Sequence, residues 1–140
     1  MDYTQEWKQI LAKYREDVGK LQQKKRFLDG MFGLGNHPGN DACHDALDQA
    51  AEALCGRAAA EGDPASVSAL TKEILQAQAS WDGPEYAALM LAAVQRHTMN
   101  LIPGLSREDR AEIREWYEKH YPRRKRLPVQ EQLLKSLKAE

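Results

Sequence analysis

The sequence predicts an all-α fold, a compact and mostly antiparallel bundle of five to six helices. Three observations carry that prediction. Apolar residues recur at three- and four-residue intervals along most of the chain. Val, Ile and Thr are sparse, and no stretch alternates apolar with polar residues for long, so strands have no support. Glycine and proline fall between the periodic segments, next to Ser, Asp or Asn residues suited to helix starts.

The first helix is expected over 4–28, with Trp7, Ile10, Leu11, Tyr14, Val18, Leu21 and Leu28 on one stripe. A glycine-rich connector from Gly30 to Gly39 follows. Asn40 or Asp41 then starts a second helix reaching about Ala60, whose apolar positions are Cys43, Leu47, Ala50, Ala51, Leu54 and Ala58. Its many alanines let a neighbouring helix axis come close. Asp63-Pro64 is a cap followed by proline at the first helical position, and opens a third helix to about Ser80. The fourth is expected over 85–101 and is nearly all apolar from Leu89 to Val94, which suits the middle of a bundle. Ser106 caps a fifth helix that stops before Pro122, with Ile113, Trp116, Tyr117 and His120 on its apolar stripe. Pro128 opens a short last helix with Val129, Leu133, Leu134 and Leu137.

A chain of 140 residues, 42% hydrophobic and 29% charged, with a mean hydropathy of −0.69, fits a single globular domain over 1–140. A net charge of −1 makes no global case for nucleic acid or an anionic membrane. No apolar run approaches the roughly 20 residues of a membrane span. The polar, acidic start does not resemble a secretory signal, so a cytoplasmic setting is expected. Cys43 and Cys55 fall on one helix, roughly 18 Å apart by helical rise. A disulfide needs Cα atoms within about 7 Å, so both are expected as free thiols. Charge is unevenly spread: residues 1–35 carry net +2, residues 36–104 net −6 and residues 105–140 net +3. Acidic middle helices can therefore face more basic ends.

Four constellations could carry chemistry. The stretch from His37 to Asp48 places Asp41, His44, Asp45 and Asp48 at helical spacing on one arc, with His37 in the preceding loop. Imidazole and carboxylates one turn apart can ligate a divalent cation, so His37, Asp41, His44 and Asp48 form a candidate metal set. That arc is expected to point away from the apolar side of its helix, toward solvent, which disfavours a metal. His97 lies in line with Tyr86, Met90, Ala93 and Leu101, an apolar face on which an imidazole needs a partner. The basic run Arg123, Arg124, Lys125 and Arg126, beside Trp116 and Tyr117, could grip a phosphate backbone and stack on a base. No recognised nucleic-acid-binding signature accompanies it. The last helix carries much apolar surface for its length and must dock on its own bundle or on a partner.

No nucleophile-elbow glycines flank a serine, the glycine-rich loop lacks phosphate-binding spacing, and a single Asp41-Ala42-Cys43-His44 falls short of a di-iron pattern. The sequence therefore points to a non-catalytic protein-interaction or assembly module without a cofactor. Its partner is expected to be another protein or a second copy of the chain, a homodimer being one such arrangement. Trp7, Tyr14, Leu133 and Leu137 are the expected partner-facing residues. Two alternatives stand beside this reading. One is a metal- or small-ligand-binding bundle, or an enzyme, using His44 and Asp48 or His97; the other is a nucleic-acid binder using Arg123–Arg126.

Overall fold

The computed structural model describes residues 2–32 and 40–138. Six α-helices run in chain order as α1 (Tyr3–Phe32), α2 (Asn40–Glu61), α3 (Pro64–Ala79), α4 (Glu85–Val94), α5 (Arg107–His120) and α6 (Pro128–Lys138). No strand occurs among the described residues. The all-α bundle is thus the observed architecture. No helix is long and apolar enough to cross a membrane among the described residues.

The caps act as the sequence implies. Asp63 accepts the Ser66 backbone N–H at 2.7 Å, and Ser106 accepts that of Asp109 at 3.1 Å. The turn between α2 and α3 is tight enough to need Gly62, where a Cβ would stand 2.6 Å from the Ala58 carbonyl oxygen. Between α3 and α4 the Trp81 ring folds over Gly83, and its Nε1 donates to the Pro84 carbonyl at 3.1 Å. Arg15 of α1 lies 4.7 Å above that ring and pairs with Asp82, tying the turn to the first helix.

Two boundaries differ from expectation. Helix α1 runs on through Gly30 to Phe32; one interior glycine costs about 1 kcal/mol relative to alanine and does not by itself stop a helix. The rest of the expected connector, residues 33–39, lies outside the described residues. Helix α4 stops at Val94, not Leu101, and the chain tightens into a 3₁₀ segment, Gln95–Asn100. There the Thr98 hydroxyl donates to the Gln95 carbonyl at 2.6 Å, competing with the helical ladder. Pro103, a few residues on, has no N–H with which to continue that ladder.

The 3₁₀ segment lies inside the bundle, against α2, α3, α4 and α6. Helix α1 packs on α2 and α3, and α5 pairs with α6. One apolar core joins residues of all six helices. Trp7 (1% exposed), Tyr14 (2%), Leu133 (0%) and Leu137 (1%) all belong to it. The expectation that these four face a partner is therefore corrected. The stripes of α1 and α6 cover neighbouring helices of the same chain, which is where burying them removes most apolar area from water. Helix α4 is not enclosed on every side, since Leu89 is 49% exposed. His120 is exposed too, and not on the buried stripe of α5: Ile113, Tyr117 and Tyr121 form that stripe, while His120 stacks on Trp116 at 4.2 Å between ring centroids.

Candidate functional site

Polar side chains converge at three places. The first joins α2 to the 3₁₀ segment. Helix α2 presents Asp48 and, one turn later, Glu52, while the early end of α4 brings Arg96 and His97 over them. Asp48 Oδ1 accepts from His97 Nε2 at 3.0 Å. The Arg96 guanidinium reaches both oxygens of the same carboxylate, at 2.7 and 2.8 Å, and also donates to the Ala93 carbonyl at 3.1 Å. Burial pushes the Asp48 carboxyl up, but the hydrogen bonds from His97 and Arg96 and the Arg96 charge outweigh it and hold it below its ordinary value. One ligand atom each from Asp48, Glu52 and His97 falls within 4.8 Å of the others. His97 is 7% exposed, whereas Glu52 is exposed.

The second cluster lies at the start of α2, against α1 and α4. The Tyr14 hydroxyl and His44 Nδ1 share a 2.8 Å hydrogen bond, and Cys43 Sγ stands 4.0 Å from the same nitrogen. Tyr86 meets the His44 ring edge-on at 5.8 Å. Burial raises the Tyr14 hydroxyl well above its usual range, so it stays protonated as a donor.

The third is a groove between α5 and α6 with a volume of about 550 Å³. Arg107, Arg110 and Arg114, at spacings of three and four on one face of α5, line it with Lys138 at the end of α6. Leu105, Ala111 and Leu137 supply its apolar wall, and Lys138 pairs with Glu118 of α5 at 3.7 Å. The Arg110 guanidinium is held in place by the Ile102 carbonyl at 3.0 Å.

The structure separates residues that the sequence grouped. His37 and the Asp41 side chain lie outside the described residues. His44 and Asp48 are half-buried, not solvent-facing: α1 covers one side of the helix start, and the 3₁₀ segment covers the other. They turn to different partners, His44 to Tyr14 and Asp48 to His97, while Asp45 remains exposed. Arg123, Arg124 and Lys125 form an exposed 3₁₀ turn, but Arg126 folds inward. Its side chain is 10% exposed and bonds Glu131 at 2.7 Å and the Tyr121 carbonyl at 3.3 Å. Sequence reasoning missed the α5 arginines and Glu52. The three-four spacing of the arginines was a visible signal, but nothing local showed that α6 would wall off a groove beside them.

Behind these clusters is a buried polar network. Tyr117 donates to Gln95 Oε1 at 2.7 Å, and Gln130 Nε2 donates to Gln78 Oε1 at 2.7 Å. Gln130 Oε1 in turn accepts the Leu127 backbone N–H at 3.0 Å at the start of α6. It ties α6 to the centre of the bundle. The chain matches no protein-family model, and comparison with curated proteins and with solved structures gives no match, so geometry alone carries the functional reading.

Proposed function

We propose that the protein is a non-catalytic interaction module that takes an acidic segment of a partner protein into the groove between α5 and α6. The observation that carries this is the lining among the described residues: three arginines at helical spacing and a lysine beside apolar walls. Arginine presents a planar fork of donors that meets a carboxylate through two parallel hydrogen bonds, and a row of three at helical spacing matches successive acidic side chains. Leu105 and Leu137 offer an apolar edge beside those charges, which favours a peptide with mixed acidic and apolar side chains over a free anion.

The protein-interaction reading of the sequence is thereby kept, but its surface moves from the α1 and α6 stripes to the groove. Of the acids of α5, Glu108, Glu112 and Glu115 are not among the lining residues, while Glu118 pairs with Lys138 at the groove's end. Cys43 and Cys55, twelve residues apart on α2 and so too distant to bridge each other, fit a reducing compartment such as the cytoplasm.

The test is fluorescence anisotropy with a labelled Glu/Asp/Leu peptide of about ten residues at two salt concentrations. Binding that weakens as salt rises, and that Arg114→Glu with Lys138→Glu abolishes without loss of helicity, supports the reading. Failure of the peptide to bind at low salt refutes it. Tighter binding of a single-stranded oligonucleotide that depends on Arg123, Arg124 and Lys125 would transfer the function to nucleic acid.

A further inference from the structure

We propose that Asp48, Glu52 and His97 form a site for one divalent transition-metal ion of the zinc class. Metal–nitrogen and metal–oxygen bonds near 2.1 Å separate their donor atoms by about 3.4 Å at zinc's tetrahedral angle and by about 3.0 Å at the right angle of a six-coordinate ion. His97 Nε2 and Asp48 Oδ1 already stand 3.0 Å apart. Glu52 follows Asp48 by one helical turn, so its carboxylate can close a face from the same side. Imidazole with two carboxylates suits zinc, cobalt or manganese better than a hard ion such as magnesium, and three protein ligands leave positions for water.

The surroundings fit this role. His97 is nearly enclosed, so its ring is held by packing before any ion arrives. Two backbone constraints set the ring's direction: the 3₁₀ turn that begins at Gln95, and the Thr98 bond to the Gln95 carbonyl. Arg96 is anchored on the Ala93 carbonyl and reaches both Asp48 oxygens, Oδ2 at 2.8 Å and Oδ1 at 2.7 Å, so it orients the carboxylate and must yield its hold on Oδ1 when an ion binds there. Its charge also opposes a cation, so Arg96 sets the affinity from the second layer. Binding through Nε2 requires the ring to give up the Nε2 proton with which it bonds Asp48 and to carry its proton at Nδ1.

The site is independent of the arginine groove and is tested on the full chain without any peptide. Co²⁺ is titrated while its visible absorption is followed, and Zn²⁺ is titrated by calorimetry. One ion per chain is expected. Glu52→Gln should weaken binding tenfold or more, His97→Gln should abolish it, and Arg96→Gln should tighten it severalfold. Glu52 is exposed, so its variant keeps the fold and decides the matter even where His97→Gln unfolds. Silence with both ions overturns the proposal. Binding unchanged in Glu52→Gln, or removed by His44→Gln instead, overturns it as well, because the ion would then sit elsewhere.

Discussion

Tyr117→Phe removes one oxygen atom from the centre of the bundle and nothing else. Tyr117 and Gln95 are both fully buried, and the hydroxyl donates to Gln95 Oε1 at 2.7 Å. The remaining donor to that oxygen, Gln130 Nε2, is 3.4 Å away and already committed to Gln78. The acceptor is left nearly unsatisfied where water cannot reach it, which costs about 1–3 kcal/mol. Side-chain volume hardly changes, so little is added by a cavity. Unfolding entropy of about 2.1 cal/mol/K per residue gives about 0.3 kcal/mol/K for a chain of this size, hence a Tm lower by about 3–10 °C. Thermal and urea unfolding followed by circular dichroism measure this, with an unchanged m-value as the check that only stability moved. The double mutant Tyr117→Phe/Gln95→Met should recover at least about 1 kcal/mol relative to the sum of the singles, since both partners are then gone. A Tm within 1 °C of wild type, or no coupling in the cycle, would refute the network as a structural tie between the 3₁₀ segment and α5.

Three further outcomes follow from the same coordinates. Burial pushes the Tyr121 hydroxyl and the Cys55 thiol up to about 12. Both groups are protonated in the fold and ionise earlier when unfolded. Their contribution is complete below about pH 9 and is lost as pH rises toward 12, on the order of 1 kcal/mol for Tyr121 by pH 11; a urea midpoint that stays level from pH 8 to 11 would contradict this. At the acid end the sign reverses. The Asp48 carboxyl is held below its ordinary value, so its contribution is present above about pH 4 and disappears as pH falls. Asp48→Asn should be less stable than wild type at pH 7 and equal to it near pH 2; a constant gap across that range would show that charge plays no part. Finally, Trp7→Ala should cost about 3–5 kcal/mol in unfolding free energy while leaving the hydrodynamic size of the folded species unchanged. A shift in oligomeric state without that loss would restore the partner-facing reading of α1.

Most of the secondary structure was legible in the sequence because its signals are local. Asp63-Pro64 and Ser106 start helices through bonds to backbone groups three residues on, and tertiary context only preserves them. The start of α4 at Glu85 and of α6 at Pro128 are likewise set by neighbouring residues. The candidate site was half legible. The arc from Asp41 to Asp48 drew attention to the right helix but to the wrong companions, because helical spacing groups residues of one element and says nothing of a second. Glu52 stands one turn from Asp48 on the same helix, whereas His97 reaches Asp48 only because α4 breaks early and turns its end over α2.

What the sequence determined by itself is therefore the number and kind of elements, their starts and the apolar face of each. Those depend on backbone hydrogen bonding and on a period of 3.6 residues, both confined to a few neighbours in the chain. The tertiary structure alone decided what covers each face. It closed the α1 and α6 stripes inside the molecule, covered both sides of the α2 start, and left the α5 arginines beside a groove. The physical reason is that burial is non-directional: an apolar stripe requires some cover, and shape and packing across the whole chain choose which.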